Sequence, residues 1–351
     1  MPDTAAPAFS EADARLTREI GIVDTHNDLA TAVLHRRFQG TYDSLRTHWL
    51  PRLEAGGVRV VVCPIWIDDQ YLPHSAMQHA VRMMDGLFAE IRDNHDRIEL
   101  AHSYAEIGRI EADGKIAALL AFEGAEPLGQ DLAALRLFHE VGLRMLSFTW
   151  NRRTAFGDGA WENGSGGGLT RLGHEALAEA QRLGIVLDIS HASDRTARDI
   201  LEAATAPVIA SHSNARALCE HPRNLPDDLI RALAATGGVI GVVAVSRFIT
   251  DGEPTIARWV DHIEHIVNLV GIDHVGIGAD FVHHLYEIGA ALGIAEWSIP
   301  QGPARPSFVG MQSPEELPGL TAELHRRGFD EIAIRKILRD NHLRVMAQVL
   351  R

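Results

Sequence analysis

Cysteine is scarce in this chain of 351 residues, which contains only Cys63 and Cys219. Two cysteines cannot form the disulfide framework of a small secreted domain, and we expect two reduced thiols, as in a protein of a reducing compartment. A chain of this length buries enough apolar surface to be stable without such bridges. The fold is therefore expected to depend on its hydrophobic core.

The chain also lacks an excess of positive charge, and its formal net charge is −14. Binding to nucleic acid needs clustered Lys and Arg, so nucleic acid is excluded as a partner. Residues 1–21 contain neither the basic nor the apolar part of a signal peptide. No apolar run reaches the roughly 20 residues of a transmembrane helix. We expect a cytoplasmic protein that does not contact a membrane.

Short runs rich in β-branched residues alternate with stretches of helical pattern along the chain. This alternation predicts βαβ units and a parallel sheet. Several runs, among them VRVVVCPI and GVIGVVAV, are almost wholly apolar, as is typical of strands buried on both faces. Eight strands are predicted, at residues 22–28, 58–67, 116–124, 143–150, 185–191, 207–212, 238–245 and 274–281.

Acidic residues and histidines follow these predicted strands at their C-terminal ends. They are His26, Asp28, Glu123, His191, His212 and Asp280. A closed (β/α)8 barrel brings all such ends to one mouth, whereas an open doubly wound sheet would spread them along a row. The sequence therefore favours a single (β/α)8 barrel over residues 1–351. A short N-terminal extension (1–20) and a long loop after the last strand (282–314) would complete it, and loops of that length are usually functional.

The segment VDTHND supplies the first pair of candidate metal ligands. Side chains two residues apart in an extended strand point the same way, so His26 and Asp28 are expected to project together. An imidazole beside a carboxylate suits zinc or a similar ion. For this pair alone, a turn-capping Asp beside an incidental His stays open as the alternative.

Glu123 follows an apolar run in LLAFEGAE. A buried carboxylate is costly unless it is paired or binds a cation, and its two oxygens can bridge two metal ions. The alternative is a surface Glu in the loop beyond the strand.

His191 ends GIVLDISH and His212 ends PVIASH, on consecutive predicted strands. Each alone could be a structural histidine, but together they favour further metal ligands. Asp188 is a candidate for orienting one of the imidazoles.

Asp280 ends HVGIGADF, the eighth predicted strand. A carboxylate beside a metal-bound hydroxide can act as general base and then as general acid to the leaving amine. The alternative roles for Asp280 are a helix N-cap and a further metal ligand.

Arg216 and Arg223 follow His212, and an arginine at such a site can bind a substrate carboxylate. A surface ion pair to a neighbouring aspartate is the alternative for either.

Together these motifs resemble those of the renal (membrane) dipeptidase family, over nearly the whole chain. The resemblance rests on VDTHNDL, AFEGAE, GLTRLGHEALAEAQRLGIVLDISHAS, APVIASHSNARALCEHPRNLPDDLI, HIVNLVGIDHVGIGADF and ELHRRGFDEIAIRKILRDNHLRVM. It implies a (β/α)8 barrel with two zinc ions. By this resemblance, His26 and Asp28 would bind the first metal, His191 and His212 the second, and Glu123 would bridge the two. Asp280 would be the catalytic carboxylate, and Arg223 would bind the C-terminal carboxylate of the substrate.

The resemblance also implies the reaction. The family cleaves dipeptides, often with a D-residue on the C-terminal side, some members open β-lactam rings, and members are often dimeric. We therefore expect a metal-dependent dipeptidase that forms a homodimer. An amidase or lactamase acting on an N-acyl amino acid or a biosynthetic intermediate is the alternative. A further alternative is a barrel that keeps the metal ligands but has no catalytic activity.

Two positions depart from the family's pattern. The fourth strand of the renal enzyme carries a Thr-His that helps to polarise the scissile carbonyl, whereas LSFTWNRR places Trp150 there, followed by Asn151. The indole N–H or the amide can still donate to an oxyanion, so both residues are predicted to contact substrate. After Asp280 the chain reads FVHH instead of Phe, Asp and Gly. The loop that shapes the substrate pocket is therefore expected to differ.

Overall fold

Parallel strands form the centre of the fold. The computed structural model describes residues 9–282, 308 and 310–351, and in this part of the chain nine strands form one sheet. The strands are β1 Ile22–Asp24, β2 Val58–Trp66, β3 Ile98–Leu100, β4 Ile116–Glu123, β5 Leu143–Ser147, β6 Val186–Asp188, β7 Ile209–Ala210, β8 Val239–Val242 and β9 Val275–Ile277.

The sheet closes into a barrel of eight strands. β1 pairs with both β2 and β9, and β2 pairs with β4, so the ring runs β1-β2-β4-β5-β6-β7-β8-β9 and returns to β1. β3 stays outside this ring. It pairs with the first residues of β4, whereas β5 pairs with the later ones. The predicted (β/α)8 barrel is confirmed, with one additional short strand.

Helices surround the barrel. They are α1 Glu11–Ile20, α2 Leu29–Phe38, α3 Leu50–Ala55, α4 Ala76–Asp93, α5 Tyr104–Ala112, α6 Leu132–Glu140, α7 Arg171–Leu183, α8 Asp194–Ala203, α9 Asp227–Ala235, α10 Ser246–Ile249, α11 Ile256–Val270, α12 Pro318–Arg326, α13 Glu331–Arg335 and α14 Asn341–Val349. Within the residues described, no helix has both the length and the apolar character needed to cross a membrane.

Local sequence signals set several of the helix ends. The Ser193 hydroxyl accepts a hydrogen bond from the backbone N–H of Thr196 and so caps α8. α7 ends at Leu183, and the next residue, Gly184, has a φ of 77°, in the left-handed region that glycine adopts without strain. The predicted extension 1–20 contains α1, and its Thr17 hydroxyl lies 2.7 Å from that of Thr321 in α12. α1 therefore packs on the barrel's outer layer.

Two apolar layers lie on the two sides of the strands. Val60 and Val62 of β2 belong to a cluster of mainly strand side chains, inside the ring. Val61 and Cys63 belong to a larger cluster with the surrounding helices. Because both faces of β2 are buried, its nearly continuous apolar sequence is explained. Cys63 and Cys219 are both buried free thiols.

The strands end earlier than the sequence predicted. The first was predicted over 22–28 and stops at Asp24, and the last was predicted over 274–281 and stops at Ile277. The chain beyond each strand stays buried but leaves the ladder, so apolar pattern alone did not mark the boundary. β3 was not predicted, because three residues are too few for a periodic signal. Of the predicted loop 282–314, residues 283–307 and 309 lie outside the described part of the chain.

Candidate active site

The predicted ligands converge at the C-terminal mouth of the barrel. Glu123 is the last residue of β4, and the other ligands lie in the segments that follow β1, β6, β7 and β9. The His26 Nε2 atom lies 3.6 Å from Glu123 Oε2, 4.0 Å from Asp28 Oδ1 and 3.9 Å from Asp280 Oδ1. His26 and Asp28 thus meet, although through a loop and not through the extended strand that was predicted.

The second oxygen of Glu123 faces a different pair of side chains. Its Oε1 atom lies 2.8 Å from His191 Nε2 and 3.6 Å from His212 Nε2, and these two nitrogens are 2.8 Å apart. Glu123 therefore stands between two groups of donors, with one oxygen directed at each. Among the described residues, candidate ligand atoms of two sets lie within 4.8 Å of one another: His26, Glu123, His212; and His26, Asp28, Asp280.

The donor set fits divalent cations. Burial lowers the pKa of His26 to about 3 and that of His191 and His212 well below the usual range, so the imidazoles are neutral and can coordinate a metal. Burial also raises the pKa of Asp28 and Glu123 well above the usual range, and each is raised further by a neighbouring carboxylate. A cation would relieve the cost of placing these carboxylates together out of water.

Hydrogen bonds orient two of the imidazoles. Asn151 Oδ1 lies 2.7 Å from His191 Nδ1. Since an amide oxygen only accepts, Nδ1 carries the proton and the Nε2 lone pair is directed at Glu123. Ser211 Oγ lies 2.7 Å from His212 Nδ1 and donates to the Asp188 carboxylate, so the same tautomer follows for His212. Asp188 thus acts on an imidazole through a serine that the sequence did not point to.

Asn151 was predicted to contact substrate, and that role stays a prediction. Its observed bond to His191 suggests a direct test. Asn151→Ala leaves Nδ1 without an acceptor, so metal affinity is expected to fall about 10- to 100-fold, as for other partners that orient a ligand. Asn151→Asp keeps an acceptor and should restore most of the affinity. Competition with a chromogenic chelator measures both variants, and equal affinity in the alanine variant and the wild type would contradict the orienting role.

A buried carboxylate that the sequence did not single out links two edges of the site. Asp24, at the end of β1, accepts hydrogen bonds from the backbone N–H of His26 (3.4 Å) and of Ala279 (3.1 Å), and from the Asn27 side chain. Burial raises the pKa of Asp24 to about 6. Asp24 therefore joins the segments that carry His26 and Asp280. An acidic residue directly after an apolar strand was the available signal.

The backbone is unusual at His191 and Asp280. Their φ angles are 68° and 54°, in the left-handed region that residues other than glycine rarely adopt. Such conformations persist where the surrounding structure enforces them, and they are concentrated at functional sites. At Asp280, the backbone N–H donates to the His26 carbonyl (3.2 Å). Burial raises the pKa of the Asp280 carboxyl to about 7.

The two arginines after His212 have different surroundings. Arg216 forms a two-point ion pair with Asp194, at 2.6 and 2.7 Å, and this pair anchors the loop. Arg223 is buried and its Nη2 donates to the His212 carbonyl (3.1 Å), while its Nε has no partner among the residues described. Burial lowers the Arg223 pKa to about 10, so the group stays charged at neutral pH. Of these two arginines, Arg223 is the one beside the ligands.

Trp150 lies beside these ligands at the mouth. Its ring centroid is 5.8 Å from that of His191, and the rings are inclined by 30°. The Arg152 guanidinium lies 5.0 Å from the Trp150 ring. The departure from the family's pattern therefore places an indole next to a candidate metal ligand.

A sequence profile of the membrane dipeptidase family, peptidase family M19, matches residues 10–351. The chain belongs to this family. Dipeptidase verJ of Clonostachys rogersoniana is 31% identical, over 95% of this chain and 86% of the relative. Dipeptidase 3 of Rattus norvegicus is also 31% identical, over 98% of this chain and 68% of the relative.

Solved structures agree with this membership. A metallopeptidase from Rhodobacter sphaeroides, bound to a phosphinate mimic of the dipeptide L-Ala-D-Ala, superposes with a TM-score of 0.82 at 26% identity, over 94% of this chain and 99% of that one. An amidohydrolase from Pseudomonas aeruginosa gives 0.79 at 26% identity, over 96% and 99%. For this M19 member, the predicted barrel and the predicted class, a metal-dependent dipeptidase, are confirmed.

Proposed function

We propose that this M19 member hydrolyses dipeptides, including those with a D-residue on the C-terminal side, at a centre of two zinc ions. The position of Glu123 carries the proposal, because its two oxygens face separate groups of donors. In this assignment His26 and Asp28 would hold one ion, His191 and His212 would hold the other, and Glu123 would be shared by both. Ions held there would polarise a carbonyl and lower the pKa of water.

The remaining polar groups are assigned to the substrate and the proton. Asp280, with Oδ1 3.9 Å from His26 Nε2, borders the donors and can accept a proton from the attacking water. It then returns that proton to the leaving nitrogen, which makes it general base and general acid in turn. Arg223 is assigned to the C-terminal carboxylate of the dipeptide, since it is buried, charged and has no carboxylate within ion-pair distance among the residues described.

Turnover of a substrate panel by the purified protein tests the function. We expect hydrolysis of L,L and L,D dipeptides, loss of activity with a chelator and recovery with Zn²⁺. If the protein hydrolyses N-acyl amino acids but none of the dipeptides, the proposal is wrong and the protein is an amidase. A homodimer and a cytoplasmic location stay predictions from the sequence.

Removal of the Arg223 charge should discriminate between substrates. In Arg223→Gln, a dipeptide with a free C-terminal carboxylate is expected to lose about 10- to 100-fold in kcat/KM, the scale of a charge-assisted hydrogen bond. The amidated analogue should change little. Steady-state kinetics on both substrates measure the difference.

Arg216→Gln is the matched control, because Arg216 is the neighbouring arginine and its charge is already paired with Asp194. That variant should affect both substrates alike. Equal losses on the two substrates in Arg223→Gln would assign Arg223 a structural role instead.

A further inference from the structure

Three indole rings form a continuous surface at the mouth of the barrel, which we call the indole wall: Trp66 at the end of β2, Trp150 after β5, and Trp161 in the turn Ala160–Ser165. Ring centroids are 5.3 Å apart for Trp66 and Trp150 and 4.9 Å apart for Trp150 and Trp161, and both pairs meet edge to face. All three rings keep some exposure, and Trp161 is 38% exposed.

The indole wall adjoins the candidate ligands and is held in place. Trp150 lies next to His191, as described above. On Trp150 rests the Arg152 guanidinium, which donates to Glu126 (3.0 Å), to Asp69 and to the Ile67 carbonyl. Two carboxylates thus offset the Arg152 charge. The wall is therefore a preformed apolar surface, on which a ligand could bind with little loss of conformational entropy.

The Trp66 end of the wall lies across the mouth from Arg223. Trp66 is the last residue of β2 and Trp150 follows β5, and these strands are the two ring neighbours of β4. Arg223 is bonded to the His212 carbonyl after β7 and lies 5.6 Å from the ring of Phe248 after β8. In the ring of eight strands, β7 and β8 are opposite β2 and β4. A dipeptide with its carboxylate at Arg223 and its amide beside Glu123 therefore extends its N-terminal residue toward the wall.

We propose that the indole wall binds the side chain of the dipeptide's N-terminal residue and selects large apolar side chains, above all aromatic ones. This inference rests on the proposed dipeptidase function. Edge-to-face contacts between aromatic rings stabilise beyond the burial of area, and the wall already presents indoles in that geometry. The balanced charge of Arg152 offers no ionic partner to a Lys or Glu side chain. Small side chains such as that of Ala leave most of the wall uncovered.

Kinetics of the zinc-loaded protein test the selection. We expect kcat/KM for Phe-D-Ala to exceed that for Ala-D-Ala about tenfold or more, the scale on which an apolar pocket separates side chains of different size. Lys-D-Ala should not exceed Ala-D-Ala. In Trp161→Ala the Phe-to-Ala ratio should fall about 2- to 10-fold, the worth of one aromatic pair. Trp150→His should lower it as well.

Tyr104→Ala is the matched control, because Tyr104 is an aromatic residue of the same exposure, 39%, on α5. It should leave the ratio unchanged. Calorimetry should measure the affinities for phosphinate mimics of Phe-D-Ala and Ala-D-Ala. These affinities should show the same preference for Phe, and the same loss of that preference in Trp161→Ala. Melting temperatures and zinc content establish that each variant is folded and loaded.

The outcomes separate the two proposals. Absence of hydrolysis for every dipeptide would overturn the dipeptidase function and this inference with it. Hydrolysis with a Phe-to-Ala ratio near one, or with a ratio that Trp161→Ala does not change, would overturn the indole wall alone. A preference for Lys-D-Ala over Phe-D-Ala would also overturn it, because the wall would then select a cation.

Discussion

Replacement of Glu123 by Gln is expected to remove metal from both sites and to lower kcat/KM by more than about a hundredfold, beyond the loss seen for residues that only orient a ligand. Gln has the same shape, but its amide nitrogen cannot coordinate, so one of the two contacts is lost and the charge with it. Metal analysis of dialysed protein measures the first effect and steady-state kinetics the second. Two ions per chain in this variant would refute the bridging assignment.

The same substitution should not destabilise the metal-free protein. Burial and the nearby Asp28 and Asp280 raise the pKa of Glu123, so its negative charge is unfavourable without a cation. The melting temperature after chelation should therefore equal or exceed that of the chelated wild type. Glu126→Gln is the control three residues away, because Glu126 pairs with Arg152 and not with the ligands. It should keep full metal content.

Asp280→Asn is expected to keep the metal ions and the fold while lowering kcat at least about a hundredfold, the scale of a positioned acid–base group. Asn tolerates the left-handed backbone at this position, where φ is 54°, and it keeps the backbone N–H that donates to His26. The loss would then report the carboxylate itself. Kinetics, metal content and thermal melts on the same preparation separate these effects.

Asp280→Glu provides the complementary variant. It keeps a carboxylate but moves it by one methylene, so we expect partial activity above that of Asp280→Asn. If kcat in Asp280→Asn falls by less than about fivefold, the proton is carried by another group and the assignment is wrong. A large loss of metal in Asp280→Asn would instead identify Asp280 as a ligand, which was an alternative from the sequence.

The positions of the metal-ligand candidates could be predicted from the sequence for a topological reason. In a closed parallel barrel every strand end reaches the same mouth, so a polar residue after an apolar run is placed at the site without knowledge of any contact. Glu123 after LLAF and His212 after PVIAS needed only that rule. His26 and Asp28 reached the site although their strand ends at Asp24, because convergence depends on the ring and not on the exact boundary.

Other features depended on contacts between distant parts of the chain. The residues alone left Arg216 and Arg223 as equal candidates, and contacts in the fold distinguish them: Asp194, at the start of α8, pairs with Arg216, whereas Arg223 is bonded to the His212 carbonyl. The Asn151 side chain points toward the His191 imidazole, and no periodicity in the sequence encodes that orientation. The sequence predicts that Trp66 lies near the end of an apolar strand, but nothing local indicates that it meets Trp150.

The ring is closed by its first and last strands, which pair at Asp24 and Ile277. Residues on the two sides of this seam, His26 and Asp280, enter the same site although 254 positions separate them. During synthesis, the mouth of the barrel therefore stays incomplete until Asp280 has left the ribosome. Contacts of such sequence separation form slowly. Ions that need donors from both sides of the seam would stabilise only the closed ring, so metal supply would favour closed molecules.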